Sequence, residues 1–278
     1  MIYLKQDFDP IHTFECGQCF RWNPSDNGYI GICGGKVCRV SNDTIYCPDS
    51  DNEYWTNYFS ADTDYSEIKK YLESHDETLK KCIDFGGGIR ILHQDIWETI
   101  ISFIISANNN IPRIKKILET MCREFGDKID FKYNSKLGIP EGEYYSFPEP
   151  ERLNSLSIED LACLRAGYRD KYIMDAAEKV SSGEVNLKDI PEMPTELAKK
   201  ELLKIKGVGG KVADCILLFS MGRYELFPKD VWIKRILNQV YGVEEKETDS
   251  FVTEKYGNYA GFAQQYMYYY YRENDIEK

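Results

Sequence analysis

The sequence predicts an α+β protein, with an antiparallel β-sheet domain at residues 1–85 and a helical domain at residues 86–278. Three observations predict this fold class. Short runs of β-forming residues fill the first 60 positions, helical periodicity replaces them near residue 65, and helix start and stop signals recur to the end. The chain has 278 residues, of which 42% are hydrophobic, so it can bury a sizeable core.

The predicted strands lie at 29–32, 36–40 and 44–47, where β-branched and aromatic residues are concentrated. Gly34-Gly35 and the segment 41–43 separate these runs and are typical of hairpin turns. We therefore expect an antiparallel meander with one face exposed to solvent.

The helical part begins with amphipathic patterns over 65–81, 95–106 and 113–125, the last with Asn110 as N-cap and Pro112 in its first turn. Residues 127–150 are rich in proline and glycine, which favours an irregular loop. Further helices are predicted at 157–166, 170–181, 195–205, 249–256 and 261–272.

Composition limits the function classes. No apolar run approaches the ~20 residues of a membrane helix, and the N-terminus lacks the basic and apolar regions of a signal peptide. We therefore expect a cytoplasmic protein, associated with the nucleoid if its source is prokaryotic. Its nine cysteines are expected to be reduced thiols. The net charge of −11 argues against nucleic acid binding unless basic residues are concentrated locally.

The densest motif is a helix-hairpin-helix pattern at about 195–220. Three of its glycines are expected to allow a tight reversal with positive φ, namely Gly207, Gly209 and Gly210. Backbone N–H groups at such a hairpin form an anion site, and a DNA phosphate suits it; the residues concerned are Gly207, Val208, Gly209 and Gly210. A plain helical hairpin with glycine in its turn is the alternative.

The surroundings of this hairpin are basic. Between positions 199 and 235 there are nine Lys or Arg and four Asp or Glu, a local charge of +5 within a protein of net charge −11. Such a concentration is what a polyanion-binding face requires. We therefore expect a local basic surface around the hairpin.

Two residues of this region are candidates for chemistry. Lys211 is predicted at the start of a helix, where the helix dipole is expected to lower its pKa and make it a candidate nucleophile. Asp230 follows a proline-bounded turn and precedes an apolar helix. Spacing alone favours Asp230 as an N-cap rather than a catalytic group.

At this point the chain resembles the helix-hairpin-helix DNA glycosylases with a Gly/Pro-rich loop and a trailing Asp. The matching motif is Leu-x-x-Ile-x-Gly-Val-Gly-x-Lys-Val-Ala-Asp-Cys followed by Pro-x-Asp-Val. Within that superfamily it is most similar to the eukaryotic-type 8-oxoguanine DNA glycosylase/AP lyases. Four further stretches carry this likeness in the family's order, at 17–22, 106–113, 167–169 and 259–264.

The resemblance implies a bifunctional DNA glycosylase and AP lyase of base excision repair, a monomer acting on double-stranded DNA that contains 8-oxoguanine. Such enzymes flip the damaged base out of the duplex. The family's nucleophile falls on Lys211, which would attack the sugar C1′, expel the base and form a Schiff base before β-elimination. The family's aspartate falls on Asp230, which would stabilise positive charge on the sugar.

The resemblance also implies a base pocket. The carbonyl of Gly17 would accept a hydrogen bond from N7–H, which 8-oxoguanine has and guanine lacks. Gln264 would bind the Watson–Crick edge, and Cys215 and Tyr268 would sandwich the base. Two residues depart from the eukaryotic pattern, Tyr268 in place of Phe and Trp232 in place of His.

The opposite strand is the last part of the resemblance. Asn108, Arg113 and Arg169 match residues that engage the orphaned cytosine, and Tyr168 matches the aromatic wedge. A preference for cytosine opposite the lesion is therefore expected.

No cofactor is expected to be required, although backbone carbonyls at the hairpin could hold a structural monovalent cation or Ca²⁺. No iron–sulfur cluster is expected, because only Cys215 follows Lys211 and a cluster needs four thiolates. Zinc at Cys16 and Cys19 is disfavoured, since these residues overlap the glycosylase motif. Two alternative functions stay open: a glycosylase for an alkylpurine or pyrimidine lesion, and a non-catalytic DNA-binding protein.

Overall fold

A computed structural model describes residues 1–4, 7–131 and 135–274. Its N-terminal part is an antiparallel sheet in the spatial order β1-β5-β4-β3-β2. The strands are β1 (Ile2–Tyr3), β2 (Trp22–Ser25), β3 (Gly28–Cys33), β4 (Lys36–Ser41) and β5 (Thr44–Tyr46). The three predicted strands are thus confirmed as β3, β4 and β5. The turn between β3 and β4 uses the left-handed region at Gly34 and Gly35 (φ 55° and 69°).

The helices follow in the order α1 (Pro10–Glu15), α2 (Asn52–Tyr58), α3 (Tyr65–His75), α4 (Glu77–Gly86), α5 (Ile96–Ser106), α6 (Ile111–Phe125), α7 (Pro150–Asn154), α8 (Asp170–Ser181), α9 (Thr195–Leu202), α10 (Gly210–Met221), α11 (Val231–Tyr241), α12 (Thr248–Tyr256) and α13 (Ala260–Asn274). Helix α1 precedes β2, and all the others follow the sheet. Within the described ranges, no helix combines the length and apolar character needed to cross a bilayer.

The sheet is covered on both faces at β4, so the expected exposed face is wrong there. Cys38 and Val40 belong to a core shared with α1 and α2. On the other face, Val37 packs with Ile139, and the guanidinium of Arg39 donates to the carbonyl of Leu137 at 2.8 Å. The covering residues come from the predicted loop 127–150, of which residues 132–134 lie outside the described ranges.

The predicted helix over 65–81 is instead two helices, because Asp76 interrupts it in an extended conformation (φ −150°). The carboxylate of Asp76 caps α4 through the N–H of Leu79 and accepts hydrogen bonds from the hydroxyls of Tyr241 (2.9 Å) and Tyr256 (2.6 Å). Long-range tertiary partners therefore stabilise a break that local periodicity does not reveal.

The predicted helix over 157–166 is also wrong in type. The structure has only a 3-10 helix at Asp160–Leu164, which ends where Arg165 adopts the left-handed region (φ 53°). The predicted helices at 95–106, 113–125, 170–181, 249–256 and 261–272 are confirmed as α5, α6, α8, α12 and α13, with ends shifted by up to two residues.

One core joins the helices. Helix α5 is buried almost throughout and packs between α6 and α10. Helix α13 packs against α4 and α11, and α10 packs against α9 as the second helix of the predicted hairpin. The start of α10, the start of α11 and the middle of α13 are thereby brought together.

Candidate active site

A cavity of about 450 Å³ lies where the loop after α1 meets α5, α13 and the starts of α6, α10 and α11. It gathers seven residues predicted from the sequence, namely Gly17, Asn108, Lys211, Cys215, Asp230, Gln264 and Tyr268. Trp232, one of the two departures from the family pattern, also lines it. The other predicted site residues, namely Arg113, Tyr168, Arg169 and the hairpin residues 207–210, are not among its described lining residues.

Lys211 is the second residue of α10, which confirms its predicted place at a helix start. Its Nζ lies 5.4 Å from the centroid of the Phe103 ring, a residue of the buried helix α5. Cys215 follows one helical turn later, so the two side chains share a face of α10. A potential nucleophile and a buried thiol therefore face the same cavity.

The expected lowering of the Lys211 pKa is wrong. Burial does lower the pKa of this ammonium group, but its interactions with Cys215 and Asp230 outweigh burial, so the pKa of Lys211 is raised. Burial also raises the pKa of the neighbouring Cys215 thiol to about 11, so this thiol is protonated at neutral pH. Lys211 in the free protein is therefore an ammonium group that must lose a proton before it can attack.

Asp230 is the N-cap of α11, as predicted. One of its carboxylate oxygens accepts a hydrogen bond from the N–H of Ile233 at 2.8 Å. The same carboxylate lines the cavity and acts electrostatically on Lys211. The cap therefore orients Asp230, and a structural role does not exclude a catalytic one.

Gly17 adopts a positive φ of 87° at the cavity wall. A β-carbon there would lie 3.3 Å from the Tyr268 ring. Glycine therefore both adopts the positive φ without strain and lets the Tyr268 ring lie close to the backbone. Two side chains of α13 hold the preceding backbone. Gln265 donates to the carbonyl of Cys16 at 3.0 Å, and Arg272 donates to the carbonyl of Glu15 at 2.5 Å.

Helix α13 supplies the wall beside Gly17. Gln264 is buried, and among the described residues its Oε1 has no hydrogen-bond partner. Tyr268 lies one turn further along, with the Arg272 guanidinium 5.7 Å from its ring centroid. A buried acceptor without a partner is costly, about 1–3 kcal/mol, so it favours a ligand that donates to it.

The loop between α5 and α6 carries Asn108 in the left-handed region (φ 50°). Arg169 is buried and donates to the carbonyls of Ala107, Asn108 (3.0 Å) and Ala166 (3.1 Å). Arg169 therefore holds this loop in place in the free protein. Tyr168, next to it, is 53% exposed.

The prediction of positive φ at all three hairpin glycines is wrong for two of them. Only Gly207 has a positive φ (88°), and a β-carbon there would lie 2.8 Å from the Tyr172 ring. Gly209 is an extended N-cap (φ −92°), and Gly210 is the first residue of α10. A β-carbon at either would meet nothing within 4 Å, so these glycines leave open space in front of the helix start.

The basic surface expected around the hairpin is largely neutralised. Five of the nine basic residues between positions 199 and 235 form ion pairs with carboxylates, namely Lys199–Asp214 (2.6 Å), Lys204–Glu201 (2.7 Å), Lys206–Asp175 (3.0 Å), Lys229–Asp249 (2.6 Å) and Lys234–Glu245. Three of the acids lie outside this stretch of sequence. The charge count therefore overestimates the free positive charge.

Several residues that line the cavity or support its wall were not predicted as site residues. Phe103 lies beside the Lys211 ammonium, while Gln265 and Arg272 fix the loop before Gly17. Spacing offers one signal for Arg272, because it follows Gln264 and Tyr268 at intervals of four on one helical face. Phe103 has no such signal, since it sits in an apolar run that is typical of any core helix.

Metal binding has no support in the described part of the chain, where no group of three or more His, Cys, Asp or Glu is arranged to hold a metal ion. Eight of the nine cysteines are buried, and Cys163 is exposed. All nine are free thiols.

Two family models match the chain. The 8-oxoguanine DNA glycosylase N-terminal domain matches residues 1–100, and the HhH-GPD superfamily of base excision DNA repair proteins matches residues 101–259. Among curated proteins, a probable N-glycosylase/DNA lyase of Methanothermobacter thermautotrophicus is 30% identical over 233 residues, which are 78% of this chain and 74% of the relative.

Solved structures are similar over nearly the whole chain. A structure of MBOgg1 in complex with a low-affinity DNA ligand is 45% identical, covers 96% of this chain and 93% of its own, and has a TM-score of 0.88. The Clostridium acetobutylicum 8-oxoguanine glycosylase/lyase, in complex with double-stranded DNA containing cytosine opposite 8-oxoguanine, is 42% identical. It covers 98% of this chain and 94% of its own, with a TM-score of 0.87.

Proposed function

Because this chain belongs to the HhH-GPD superfamily of base excision DNA repair proteins, and within it to the 8-oxoguanine DNA glycosylase/lyases, we propose that Lys211 and Asp230 perform its chemistry. The protein is a DNA glycosylase and AP lyase that excises 8-oxoguanine. The single observation that carries the assignment of roles is that a lysine and an aspartate face one cavity, with no second lysine among its described lining residues.

Lys211 acts as the nucleophile. Once deprotonated, its Nζ attacks C1′ of the damaged nucleotide, and the bond to the base breaks with its electron pair leaving on the base, which takes up a proton. The sugar ring then opens to give a Schiff base with Lys211. Loss of a C2′ proton and departure of the 3′ phosphate complete the β-elimination that nicks the strand.

Asp230 stabilises the sugar as the base departs. The transition state carries positive charge on C1′ and the ring oxygen, and a fixed carboxylate stabilises it without reorganisation. The N-cap hydrogen bond to Ile233 supports this role, because it holds the carboxylate in place before the substrate arrives. After Cys215, the charge of Asp230 also contributes to the raised pKa of Lys211.

Base recognition uses the opposite walls of the cavity. The Gly17 carbonyl accepts N7–H of 8-oxoguanine, and Gln264 binds the Watson–Crick edge, where its unpaired Oε1 can accept from the base. Guanine would leave the Gly17 acceptor unpaired, which costs about 1–3 kcal/mol. Cys215 and Tyr268 enclose the flipped base from its two faces.

The opposite strand is bound at the α5–α6 loop. We place Asn108, Arg113 and Arg169 around the orphaned cytosine, with Tyr168 as the wedge. The 53% exposure of Tyr168 supports its insertion into the duplex. The hairpin N–H groups of residues 207–210 bind a phosphate, and the open space in front of Gly209 and Gly210 leaves room for it. A cation held by hairpin carbonyls stays a prediction, and the reaction requires no organic cofactor.

Covalent trapping tests this proposal. The protein is mixed with an 8-oxoguanine:cytosine duplex and sodium borohydride, which reduces a Schiff base to a stable adduct. We expect an adduct with the wild type and none with Lys211→Gln. Lys200→Gln, which removes one exposed lysine from the same hairpin, is the matched control and should still form the adduct.

Asp230→Asn separates the two steps, since Asn also caps a helix. It should slow base release by about 10²–10³-fold, the usual effect of removing one transition-state group. Trapping on a preformed abasic site should persist, because base departure is already complete. Base release without any adduct would instead indicate a monofunctional enzyme, and activity only on alkylpurine or pyrimidine lesions would overturn the substrate.

A further inference from the structure

A second cavity lies beside α6, along a face of this helix next to the face that lines the active-site cavity. Its volume is about 460 Å³, and its lining residues are Arg113, Lys116, Ile117, Thr120, Arg123, Cys163, Leu164 and Arg165. We call it the α6 pocket. Four of these eight side chains are cationic, and none is acidic. In a protein of net charge −11, such a lining is opposite to the average surface.

The cations of the α6 pocket have few competing partners. Among the described residues, the side chains of Lys116 and Arg165 make no hydrogen bond or ion pair. Arg113 reaches only the backbone carbonyl of Arg165, at 3.1 Å. Arg123 pairs with its neighbour Glu124 at 3.3 Å, and both are about half exposed, so this pair contributes little.

The α6 pocket adjoins the site of the orphaned base. Ile111 and Ile114 of α6 line the active-site cavity, while Arg113 and Lys116, on the neighbouring face of the same helix, line the pocket. Arg169 ties the loop before α6 to Ala166, the residue after Arg165. Lys211 and the hairpin approach the active-site cavity from α10 instead.

The length of the α6 pocket suits a polymer better than a single small anion. Arg113 and Arg123 are ten residues apart on one helix, which is about 15 Å at 1.5 Å per residue. DNA carries one phosphate per strand for about every 3.4 Å of axis. A track of this length can therefore contact more than one phosphate in succession.

We propose that the α6 pocket binds the phosphodiester backbone of the strand opposite the lesion, next to the orphaned base. This inference rests on the proposed function, which places the orphaned base at Asn108 and Arg113. The cations of the pocket, above all Lys116 and Arg165, displace counterions from that strand and hold it while the lesion strand binds at the hairpin. A protein that is acidic overall thereby binds both strands of the duplex.

The test measures DNA affinity against salt concentration. Fluorescence anisotropy with an 8-oxoguanine:cytosine duplex compares Lys116→Gln/Arg165→Gln with Lys70→Gln/Lys80→Gln, all in the Lys211→Gln background. Lys70 and Lys80 are exposed lysines of α3 and α4, so the control loses the same charge. We expect the pocket variant to flatten the slope of log Kd against log salt by about 1–2, and the control to leave it unchanged.

A second set of duplexes identifies the strand. Neutral methylphosphonate linkages beside the orphaned base should weaken binding by the Lys211→Gln protein but add little to the loss in the pocket variant. Equal slopes for pocket and control variants would overturn the inference. So would neutral linkages that act only in the lesion strand. If the wild type forms no adduct with 8-oxoguanine DNA, the proposed function itself fails, which distinguishes the two results.

Discussion

The hairpin and the α6 pocket both present basic side chains near the active-site cavity, but the two sets differ in their partners. Five hairpin-side lysines are each held by a carboxylate, three of them from acids outside the 199–235 segment. In the α6 pocket, Lys116 and Arg165 have no such partner within the described ranges. Among the described residues, the cations of the α6 pocket are therefore less neutralised than these five lysines.

From this comparison we propose that the two sides hold DNA by different means. At the hairpin, open space lies in front of the backbone N–H groups at the start of α10. Phosphate binding there would depend on the positions of these N–H groups and on the helix dipole. At the α6 pocket, side-chain charge without competing acids would bind phosphate through counterion release. The predictions below test this division.

The largest expected effect comes from placing a carboxylate at the hairpin. Gly209→Asp fits the backbone, since φ is −92° and a β-carbon there would meet nothing within 4 Å. As an N-cap, Asp is better than Gly by about a few tenths of a kcal/mol. We expect unchanged or slightly higher thermal stability. DNA affinity should fall roughly 10- to 100-fold through loss of a charge-assisted contact of about 1.5–3 kcal/mol.

Gly209→Ala is the control for this substitution, and calorimetry with anisotropy measures both properties. Alanine adds a β-carbon without charge, so its affinity should stay close to that of the wild type. Equal losses for Ala and Asp would mean that shape, rather than the anion site, is decisive at the hairpin.

The next effect concerns pH. Because neighbouring negative charge raises the pKa of Lys211, the neutral form is scarce at pH 7 and increases about tenfold per pH unit below that pKa. The single-turnover rate of base release should therefore rise with pH across the neutral range, by up to about tenfold per unit. A rate independent of pH between 6 and 8 would contradict a protonated resting Lys211.

The smallest effect comes from releasing paired lysines. Glu245→Gln with Asp249→Asn removes the acids that hold Lys234 and Lys229. Since exposed ion pairs are weak, we expect no loss of stability and a DNA affinity a few-fold higher at low salt. The control, Glu53→Gln with Asp62→Asn, changes net charge equally at residues that have no lysine partner in the described part of the chain, and it should show a smaller gain. Equal gains would mean that only net charge matters.

Parts of the fold and the site were predictable because their signals are local. The cap at Asp230, the strands β3 to β5 and the turn at Gly207 each follow from residues that are neighbours in sequence. The break between helices at Asp76 was not predictable from local sequence, because Tyr241 and Tyr256, which stabilise it, lie 165 and 180 residues away in the chain. Location in the cytoplasm stays a prediction.

The roles of Lys211 and Asp230 were assigned from a motif, and their charge states were not. A helix start alone favours a lower lysine pKa, but tertiary contact with Asp230 and Cys215 reverses that direction. In the same way, helical spacing in the sequence places Arg272 on the face of α13 that carries Tyr268. Its hydrogen bond to the carbonyl of Glu15, by contrast, joins residues 257 positions apart and depends on tertiary packing.

The sequence by itself determined the fold class and the family, and it nominated the residues that we propose for the chemistry, because these depend on short-range periodicity, turn residues and a contiguous motif. The tertiary structure decided which charged side chains have ion-pair partners and in which direction the pKa of Lys211 shifts. The physical reason is that electrostatic energy depends on distance and burial in three dimensions, and neither can be counted along a chain.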